Sequence, residues 1–193
     1  MTEKEKMLSG EFYDCGDAEL IKRWHVAKKL LKEYNQTSTT NRKKLNGILT
    51  ELLGSRGKNL WITAPFFCDY GENIHFGDNC EVNFNCVFLD CNRIVIGNNA
   101  LIAPNVQIYT VFHPVVAESR LCNDDHQGFP FIKAQTLPVI LGNNVWIGGG
   151  AIILPGVSIG DNTTIGAGSV VTSNIPDHVL AFGNPCKVIR KLK

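Results

Sequence analysis

The chain has 193 residues, of which 44% are hydrophobic and 19% charged, and its formal net charge is +1. This length suits one domain plus an appendage, and the near-neutral charge argues against nucleic acid as a partner. No apolar run approaches the roughly 20 residues of a membrane span, and the start, MTEKEKMLSG, lacks the apolar core of a secretion signal. We therefore expect a cytoplasmic protein with no membrane partner.

Residues 1–58 carry helical rather than strand signals. Asp17 is a suitable N-cap for a helix through Tyr34, because apolar residues recur there at about 3.6-residue intervals. A second helix is predicted to begin near Thr40 and to end before Gly54. These patterns predict an N-terminal helical segment over 1–58.

From residue 59 onwards an apolar residue recurs every six positions. The positions that share this spacing are Ala64, Tyr70, Phe76, Val82, Phe88, Ile96, Ile102, Ile108, Leu141, Ile147, Ile153, Ile159, Ile165 and Val171. A period of six fits neither a helix nor a plain strand, but it is typical of a solenoid of short strands joined by tight turns. Gly-Asn and Gly-Asp pairs after many of these positions suit corners that need positive φ. We predict a mainly β fold over 59–193, a parallel β-helix of hexapeptide repeats.

The repeat is interrupted twice. Phe88 and Ile96 are eight residues apart, which predicts a bulged turn, and Ile108 and Leu141 are 33 residues apart. The second interruption predicts an inserted loop at about 111–138 that begins close to His113. Long loops in regular folds usually serve a site, so His113 is the first candidate for chemistry.

Seven cysteines are present, without C-x-x-C spacing. Cys68, Cys80 and Cys86 follow the six-residue spacing and are predicted to fill the solenoid interior. The other four are predicted to be free thiols in a reducing compartment: Cys15, Cys91, Cys122 and Cys186. No metal site is predicted.

The chain resembles the hexapeptide-repeat O-acetyltransferases, in particular the maltose, galactoside and nodulation-protein-L sugar acetyltransferases. The motifs that carry the resemblance cover almost the whole length: MLSGEFYD at 7–14, CDYGENI at 68–74, VNFNC at 82–86, APNVQIYTVFHP at 103–114, NVWIGG at 144–149, IGAGSVVT at 165–172 and GNPCKVIR at 183–190.

The resemblance implies a left-handed β-helix that forms a homotrimer, with acetyl-CoA as co-substrate and a site between subunits. The acetyl group would pass directly to a sugar hydroxyl. His113 matches the catalytic histidine and would act as general base, a task that suits imidazole at neutral pH. Asn83 is the second catalytic candidate, and a backbone N–H near Gly149 would stabilise the oxyanion.

Two further groups of residues match binding positions of the family. Acceptor contacts are expected from carboxylates, amides and one guanidinium, and the helical segment 1–58 would contribute some of them: Asp14, Arg23, Asp69, Asn83 and Asn85, where Asn85 is able to exchange roles with Asn83. The coenzyme groove is expected to comprise Ala103, Trp146, Gly149, Ala167, Thr172, Lys187 and Arg190. In that groove the cationic residues would meet phosphates.

Three alternatives remain open. In the first, the acceptor is a non-sugar hydroxyl compound such as an antibiotic. This alternative stays open because the segment after His113 is about nine residues longer than in the galactoside enzymes. In the second, the protein is a non-catalytic β-helix that binds a ligand. A metal-dependent hexapeptide enzyme would need three converging histidines, and only His75 and His113 are suitably placed.

Overall fold

Three helices and one short strand form the N-terminal segment of the computed structural model, which describes residues 1–121 and 132–193. Their bounds are α1 (Glu3–Ser9), β1 (Tyr13–Asp14), α2 (Ala18–Gln36) and α3 (Arg42–Leu52). Both predicted helices are confirmed, and the Asp17 side chain caps α2 by accepting from the N–H groups of Glu19 and Leu20. Helix α1 was not predicted, because seven residues are too few to display an apolar stripe.

The rest of the chain consists mainly of short strands. The strands of the solenoid are β2 (Trp61–Ile62), β3 (Phe66–Cys68), β4 (Ile74–Phe76), β5 (Glu81–Val82), β6 (Cys86–Leu89), β7 (Ile94–Ile96), β8 (Leu101–Ile102), β9 (Gln107–Tyr109), β12 (Val139–Leu141), β13 (Trp146–Ile147), β14 (Ile152–Ile153), β15 (Ser158–Ile159), β16 (Thr164–Ile165), β17 (Val170–Val171), β18 (Val179–Gly183) and β19 (Cys186–Lys191). The excursion between β9 and β12 contains β10 (Val111–Phe112), α4 (Ala117–Arg120) and β11 (Lys133–Thr136).

The solenoid strands form three sheets, which are the three faces of a prism. Their orders are β15-β12-β7-β4, β19-β18-β16-β13-β8-β5-β2 and β17-β14-β9-β6-β3. All neighbours are parallel except β18 and β19, which pair antiparallel at the end of the longest sheet. The predicted parallel β-helix is therefore confirmed.

The interior of the prism is filled by pairs of residues two positions apart, such as Cys80 and Val82 on the second face. The sequence prediction was wrong in phase for the first coil. Ile62 and Cys68 point inward there, whereas Ala64 and Tyr70 are only partly buried. The inward spacing then steps by eight residues between Cys68 and Phe76, just as it does between Phe88 and Ile96.

Every insertion leaves the prism at the same corner, the one that follows β3, β6 and β9. The first two coils each add two residues there, and the third coil adds the excursion that carries β10, α4 and β11. After the excursion the chain returns in register, since Val139 pairs with Ile94 and Leu141 with Ile96. The predicted bulge and the predicted loop are thus one structural feature that differs in size from coil to coil.

A ladder of hydrogen-bonded asparagine side chains runs along a second corner of the prism, the one that follows β4, β7 and β12. Asn59, Asn79, Asn99, Asn144 and Asn162 all have φ between 55° and 58°. The first four side-chain amides each donate to the Oδ1 of the next asparagine over 2.8–3.1 Å, and the ladder ends where Asn162 Nδ2 lies 3.4 Å from His178 Nε2. Asparagine fits because it tolerates positive φ better than other non-glycine residues and bonds its neighbours along the prism.

Substitution of Asn99 separates these two contributions. Asn99→Gly keeps the permitted φ and loses the ladder bonds, so we expect a loss of about 1 kcal/mol. Asn99→Ala also forces an alanine into the left-handed region, which adds about 1–2 kcal/mol. Urea unfolding at a fixed protein concentration measures both values, and equal losses for the two variants would contradict the role of φ.

Cys68, Cys80 and Cys86 are buried in the prism interior, as predicted. They are free thiols, as are Cys15, Cys91 and Cys186, while Cys122 and the part of the predicted loop at 122–131 lie outside the described residues. Within 1–121 and 132–193, no helix combines the length and the apolar character needed to cross a bilayer.

Candidate active site

His113 follows β10 in a small antiparallel sheet of order β1-β11-β10. Its Nδ1 lies 2.8 Å from the carbonyl oxygen of Lys133 in β11. Because a carbonyl oxygen only accepts, Nδ1 carries the hydrogen, and in the neutral ring Nε2 therefore presents its lone pair. The His113 side chain is exposed, so this lone pair is available to a ligand.

Asp14 lies in the same small sheet. It is the register partner of Lys133, so Asp14 and His113 flank Lys133 from the two neighbouring strands. The Asp14 N–H donates to the Glu3 carboxylate over 2.6 Å, and Gly16 N–H donates to Asp14 Oδ1 over 2.7 Å. Two predicted site residues about a hundred positions apart are therefore brought together by β11.

Asp69 lies at the widened corner after β3. Its backbone N–H donates to Asp90 Oδ1 over 3.0 Å, and its own carboxylate contacts Lys28 Nζ at 3.3 Å. The Cys91 thiol donates to Asp69 Oδ2 at 3.7 Å. Burial raises the pKa of the Cys91 thiol well above its usual range, which keeps it a neutral donor.

Arg23 lies on α2 beside an open pocket of about 320 Å³ that is lined by α2, α3 and the corner after β3. The guanidinium forms ion pairs with Glu19 and Glu72, each at 2.8 Å. The hydrogen bond that Arg23 donates to Glu19 and the charge of Glu72 raise the pKa of Arg23. Leu52 and Tyr70 supply apolar surface to this pocket, so the pocket combines the charge of Arg23 with a partly apolar wall.

Five other predicted residues line the corner that precedes β3, β6, β9, β14 and β17: Asn83, Asn85, Ala103, Gly149 and Ala167. Asn83 and Ala103 lie on neighbouring coils, since the Asn83 N–H donates to Ile102 and the Ala103 N–H to Ile147. Asn85 has φ 59° and occupies the same corner position as Gly150 and Gly168, which also have positive φ. Asn85 therefore has a clear structural reason to be there. The Asn83 side chain accepts from the N–H of its neighbour Phe84 at 2.9 Å and has no other hydrogen bond to the residues that the structure describes.

Gly149 presents an open backbone N–H at this corner. The N–H groups on either side are bonded, Gly148 to Ile165 O at 2.7 Å and Gly150 to Pro104 O at 2.9 Å. The Gly149 N–H makes no hydrogen bond to any residue within the described ranges. A side chain at position 149 would also approach the Pro104 carbonyl oxygen to 3.2 Å. A glycine here leaves both space and a donor for a ligand.

The remaining predicted coenzyme residues are spread over the longest sheet and one corner. Trp146 is 54% exposed, and its row continues through Thr164 and Leu180 to Arg190, three strands or about 14 Å away. Lys187 pairs with Phe182 on the same two edge strands. Thr172 follows β17 and so lies at the far end of that strand from Ala167.

One chain does not assemble all of these residues at one place. His113 and Asp14 belong to the corner that follows β9, while Asn83, Ala103 and Gly149 belong to the corner that precedes it. The span of β9 from Asn105 to Thr110 separates the two corners by about 16 Å. The predicted site is therefore divided into two half-sites on each chain.

Sequence reasoning missed Asp90, Asn92 and Lys133. Asp90 is fully buried, and its carboxyl group accepts from the N–H groups of Asp69, Tyr70 and Asn73. Burial raises its pKa to about 8. The eight-residue step around Asp90 and Asn92 was a usable signal, but the Lys133 carbonyl left no trace in the sequence.

His75 and His113, the two histidines considered for a metal, lie in different sheets. His75 Nδ1 contacts the Ser55 hydroxyl at 3.0 Å on β4, and burial lowers its pKa. In the part of the chain that the structure describes, no group of three or more His, Cys, Asp or Glu side chains is arranged to hold a metal ion.

Comparisons with known proteins match both parts of the chain. Residues 6–57 match the maltose acetyltransferase hexapeptide capping motif, and residues 138–173 match the bacterial transferase hexapeptide model of six repeats. The galactoside O-acetyltransferase of Escherichia coli K12 is 42% identical over 165 residues, which cover 86% of this chain and 77% of that protein.

Two solved structures are similar over the full length of this chain. A maltose O-acetyltransferase from Clostridium difficile 630 is 48% identical with a TM-score of 0.93, covering 98% of that chain. A galactoside acetyltransferase in complex with coenzyme A is 38% identical with a TM-score of 0.91, covering 92% of that chain. The resemblance inferred from the motifs is confirmed, and this acyltransferase belongs to the hexapeptide-repeat acetyltransferase family that includes the maltose and galactoside O-acetyltransferases.

Proposed function

We propose that the protein transfers the acetyl group of acetyl-CoA to a hydroxyl group of a sugar or glycoside, with His113 as general base. The observation that carries this proposal is the hydrogen bond from His113 Nδ1 to the Lys133 carbonyl oxygen, at 2.8 Å. It fixes the tautomer in which Nε2 is ready to accept a proton. The relatives named above support the reaction class.

The reaction proceeds by direct transfer. His113 Nε2 accepts the proton of the acceptor hydroxyl as its oxygen attacks the thioester carbonyl carbon. The resulting oxyanion accepts a hydrogen bond from the open Gly149 N–H. The carbon–sulfur bond then breaks, the leaving thiolate takes the proton from His113, and the acetyl ester and the free thiol depart.

Acceptor recognition is assigned to polar residues of both half-sites. Asp14 lies beside His113 in the small sheet, and Asp69 lies at the same corner of the prism two coils lower. Asn83, Asn85 and Arg23 complete the proposed set. Carboxylates and amides hold neighbouring hydroxyl groups with two acceptors or with a donor and an acceptor, which favours a polyhydroxyl acceptor over an apolar one.

The donor groove is proposed to follow the corner at Ala103, Gly149 and Ala167, where the small side chains leave the backbone open. Trp146 is exposed beside it and offers apolar contact to the pantetheine arm. Thr172 adds a hydroxyl group at the far end of β17. Lys187 and Arg190, both exposed on β19, are placed to meet phosphates.

Arg190→Ala tests this groove. Removal of one phosphate contact should weaken acetyl-CoA binding about tenfold, with the loss shrinking at high salt, because an exposed ion pair is screened. Lys191→Ala is the matched control, since Lys191 pairs with the inward-facing Val179 rather than with the Trp146 row. Isothermal titration with coenzyme A compares the two, and equal weakening would argue against a specific role for Arg190.

The two half-sites also support a homotrimer. A copy of the chain that places its corner before β9 against the neighbour's small sheet would unite Gly149 with His113. Exposed apolar residues on the prism faces, including Leu101 and Ile140, supply surface for such a contact.

An acceptor panel tests the proposed function. Release of coenzyme A thiol is followed with maltose, galactosides, glucosides and an aminoglycoside or chloramphenicol-type alcohol, on protein whose mass has been measured by light scattering. We expect turnover with glycosides by a trimer. Turnover confined to the antibiotics would reassign the acceptor, and an active monomer would contradict the shared site.

A further inference from the structure

A buried polar cluster lies directly beneath the sheet that carries His113, and the proposed reaction does not use it. It consists of Asn92, Thr110 and Thr136, which are 2%, 0% and 0% exposed. We call it the Asn92 cluster. Buried polar side chains are retained at a cost unless their hydrogen bonds are complete, and here they are complete.

Asn92 joins three separate segments of the chain. Its backbone N–H donates to Thr110 Oγ1 over 2.8 Å. Its side-chain amide donates to Thr136 Oγ1 over 2.9 Å and, over 3.3 Å, to the carbonyl oxygens of Met7 and Leu8 in α1. Its Oδ1 accepts from the Arg93 N–H over 2.7 Å, so the amide orientation is fixed by its own neighbour.

The two threonines lie at the ends of β10 and β11 that join these strands to the prism, and we call these ends the roots of the strands. Thr110 immediately precedes β10, its hydroxyl donates to Leu89 O over 2.6 Å, and its carbonyl accepts from Leu137 N–H over 2.8 Å. Thr136 is the last residue of β11 and pairs with Val111, and its hydroxyl donates to Met7 O.

Strands β10 and β11 are paired over only two positions, Val111 with Thr136 and Phe112 with Gln135. A two-residue pairing does not fix register by itself, because isolated short hairpins are at best marginally stable. The Lys133 carbonyl that holds His113 Nδ1 lies beyond the end of this pairing. On its other side β11 pairs with β1 over two positions, Tyr13 with Ala134 and Asp14 with Lys133. The distance from the Lys133 carbonyl to β10 therefore depends on how firmly the roots at Thr110 and Thr136 are tied.

We propose that Asn92 is a positioning residue: by tying β10, β11 and α1 together, it holds the Lys133 carbonyl against His113 Nδ1. The inference deepens the proposed function, since it rests on His113 acting as the base. A displacement of about 1 Å at a reacting group costs on the order of 10²-fold in rate, so a loosened root should be visible in kcat.

Three variants test it. Asn92→Asp keeps the shape and Oδ1 but removes the amide donors, and Thr136→Val keeps the shape but removes the hydroxyl. We expect each to lower kcat about 10- to 100-fold while the dissociation constant for coenzyme A changes less than about twofold. Thr136→Ser restores the hydroxyl and should return kcat to within about threefold of wild type.

Ile159→Val is the control for general loss of stability. Ile159 is 2% exposed in the prism, on β15, away from both half-sites. If Ile159→Val matches the fall in melting temperature of Thr136→Val and loses as much kcat, the positioning role is overturned. The same holds if Asn92→Asp and Thr136→Val turn over at the wild-type rate.

A spectroscopic measurement keeps the inference separate from the proposed function. In protein labelled with ¹⁵N-histidine, the His113 signals are assigned by their loss in His113→Gln. We expect a protonated Nδ1 in wild type and a mixture of tautomers in Asn92→Asp. An unchanged tautomer in Asn92→Asp refutes the positioning role even if no sugar is acetylated, whereas failure of the acceptor panel alone refutes only the proposed reaction.

Discussion

His113→Ala is expected to lower kcat for acetyl transfer by about 10²–10⁴-fold, which is the usual contribution of a positioned general base. The dissociation constant for coenzyme A should stay within about twofold of wild type, because the proposed donor groove lies at the other corner of the prism. Steady-state thiol release and isothermal titration measure the two quantities on the same preparation.

His25→Ala serves as the control for removal of a histidine, since His25 is exposed on α2 and outside both half-sites. It should leave kcat unchanged. If His113→Ala retains more than a tenth of the wild-type kcat, His113 is not the base. If it loses coenzyme binding in proportion to rate, the histidine acts on the donor rather than on the acceptor hydroxyl.

Asp90→Ala is expected to destabilise the protein by about 3–5 kcal/mol. The buried Asp90 carboxyl group accepts from the N–H groups of Asp69, Tyr70 and Asn73, and each N–H left unpaired costs roughly 1–3 kcal/mol, without strict additivity. Urea unfolding at a fixed protein concentration measures the loss. A change below 1 kcal/mol would mean that water replaces the carboxyl group at this corner.

Asp90→Asn distinguishes the charge of this group from its hydrogen bonds. Burial raises the Asp90 pKa to about 8, above its unfolded value near 4, so the folded protein holds a proton that the unfolded chain has released. The protonated Asp90 carboxyl group contributes its full stabilisation of the folded protein below pH 4, and this contribution is lost as the pH rises towards 8. Because asparagine does not titrate, we expect the free energy of unfolding of wild type to fall relative to that of Asp90→Asn as the pH rises from 4 to 8, and a relative rise would contradict the raised pKa.

The fold was predictable because the repeat leaves a signal at nearly every coil. Ile147, Ile153 and Ile159 face the interior as the spacing indicated. The burial of Cys68 was predicted, but the first coil was misread at Ala64 and Tyr70, which matched the spacing and yet are only partly buried. Spacing alone does not distinguish a buried small thiol from an aromatic ring that covers a corner.

The candidate site was only partly predictable. The interrupted repeat singled out His113, since a long excursion from a regular solenoid is itself a signal. Its partner, the Lys133 carbonyl, is 20 residues away in the sequence, and Asp14 is brought in by a strand pairing across about 120 residues. Such pairing leaves no local pattern. Buried Asn92 was also missed, because one polar residue within an eight-residue step resembles an ordinary turn.

The shared exit corner separates the stability of the protein from its choice of acceptor. The chain leaves the prism after Thr110 and rejoins it at Val139, which pairs with Ile94. The strand pairing of the coils above and below therefore does not depend on the number of residues in the excursion. The stretch between His113 and Lys133 can therefore be lengthened, shortened or exchanged at little cost to folding, whereas β10 and β11 on either side of it hold His113 and Thr136 in place. In such a scaffold, new acceptor preferences arise by exchange of the stretch between His113 and Lys133, while the proposed donor groove stays unchanged.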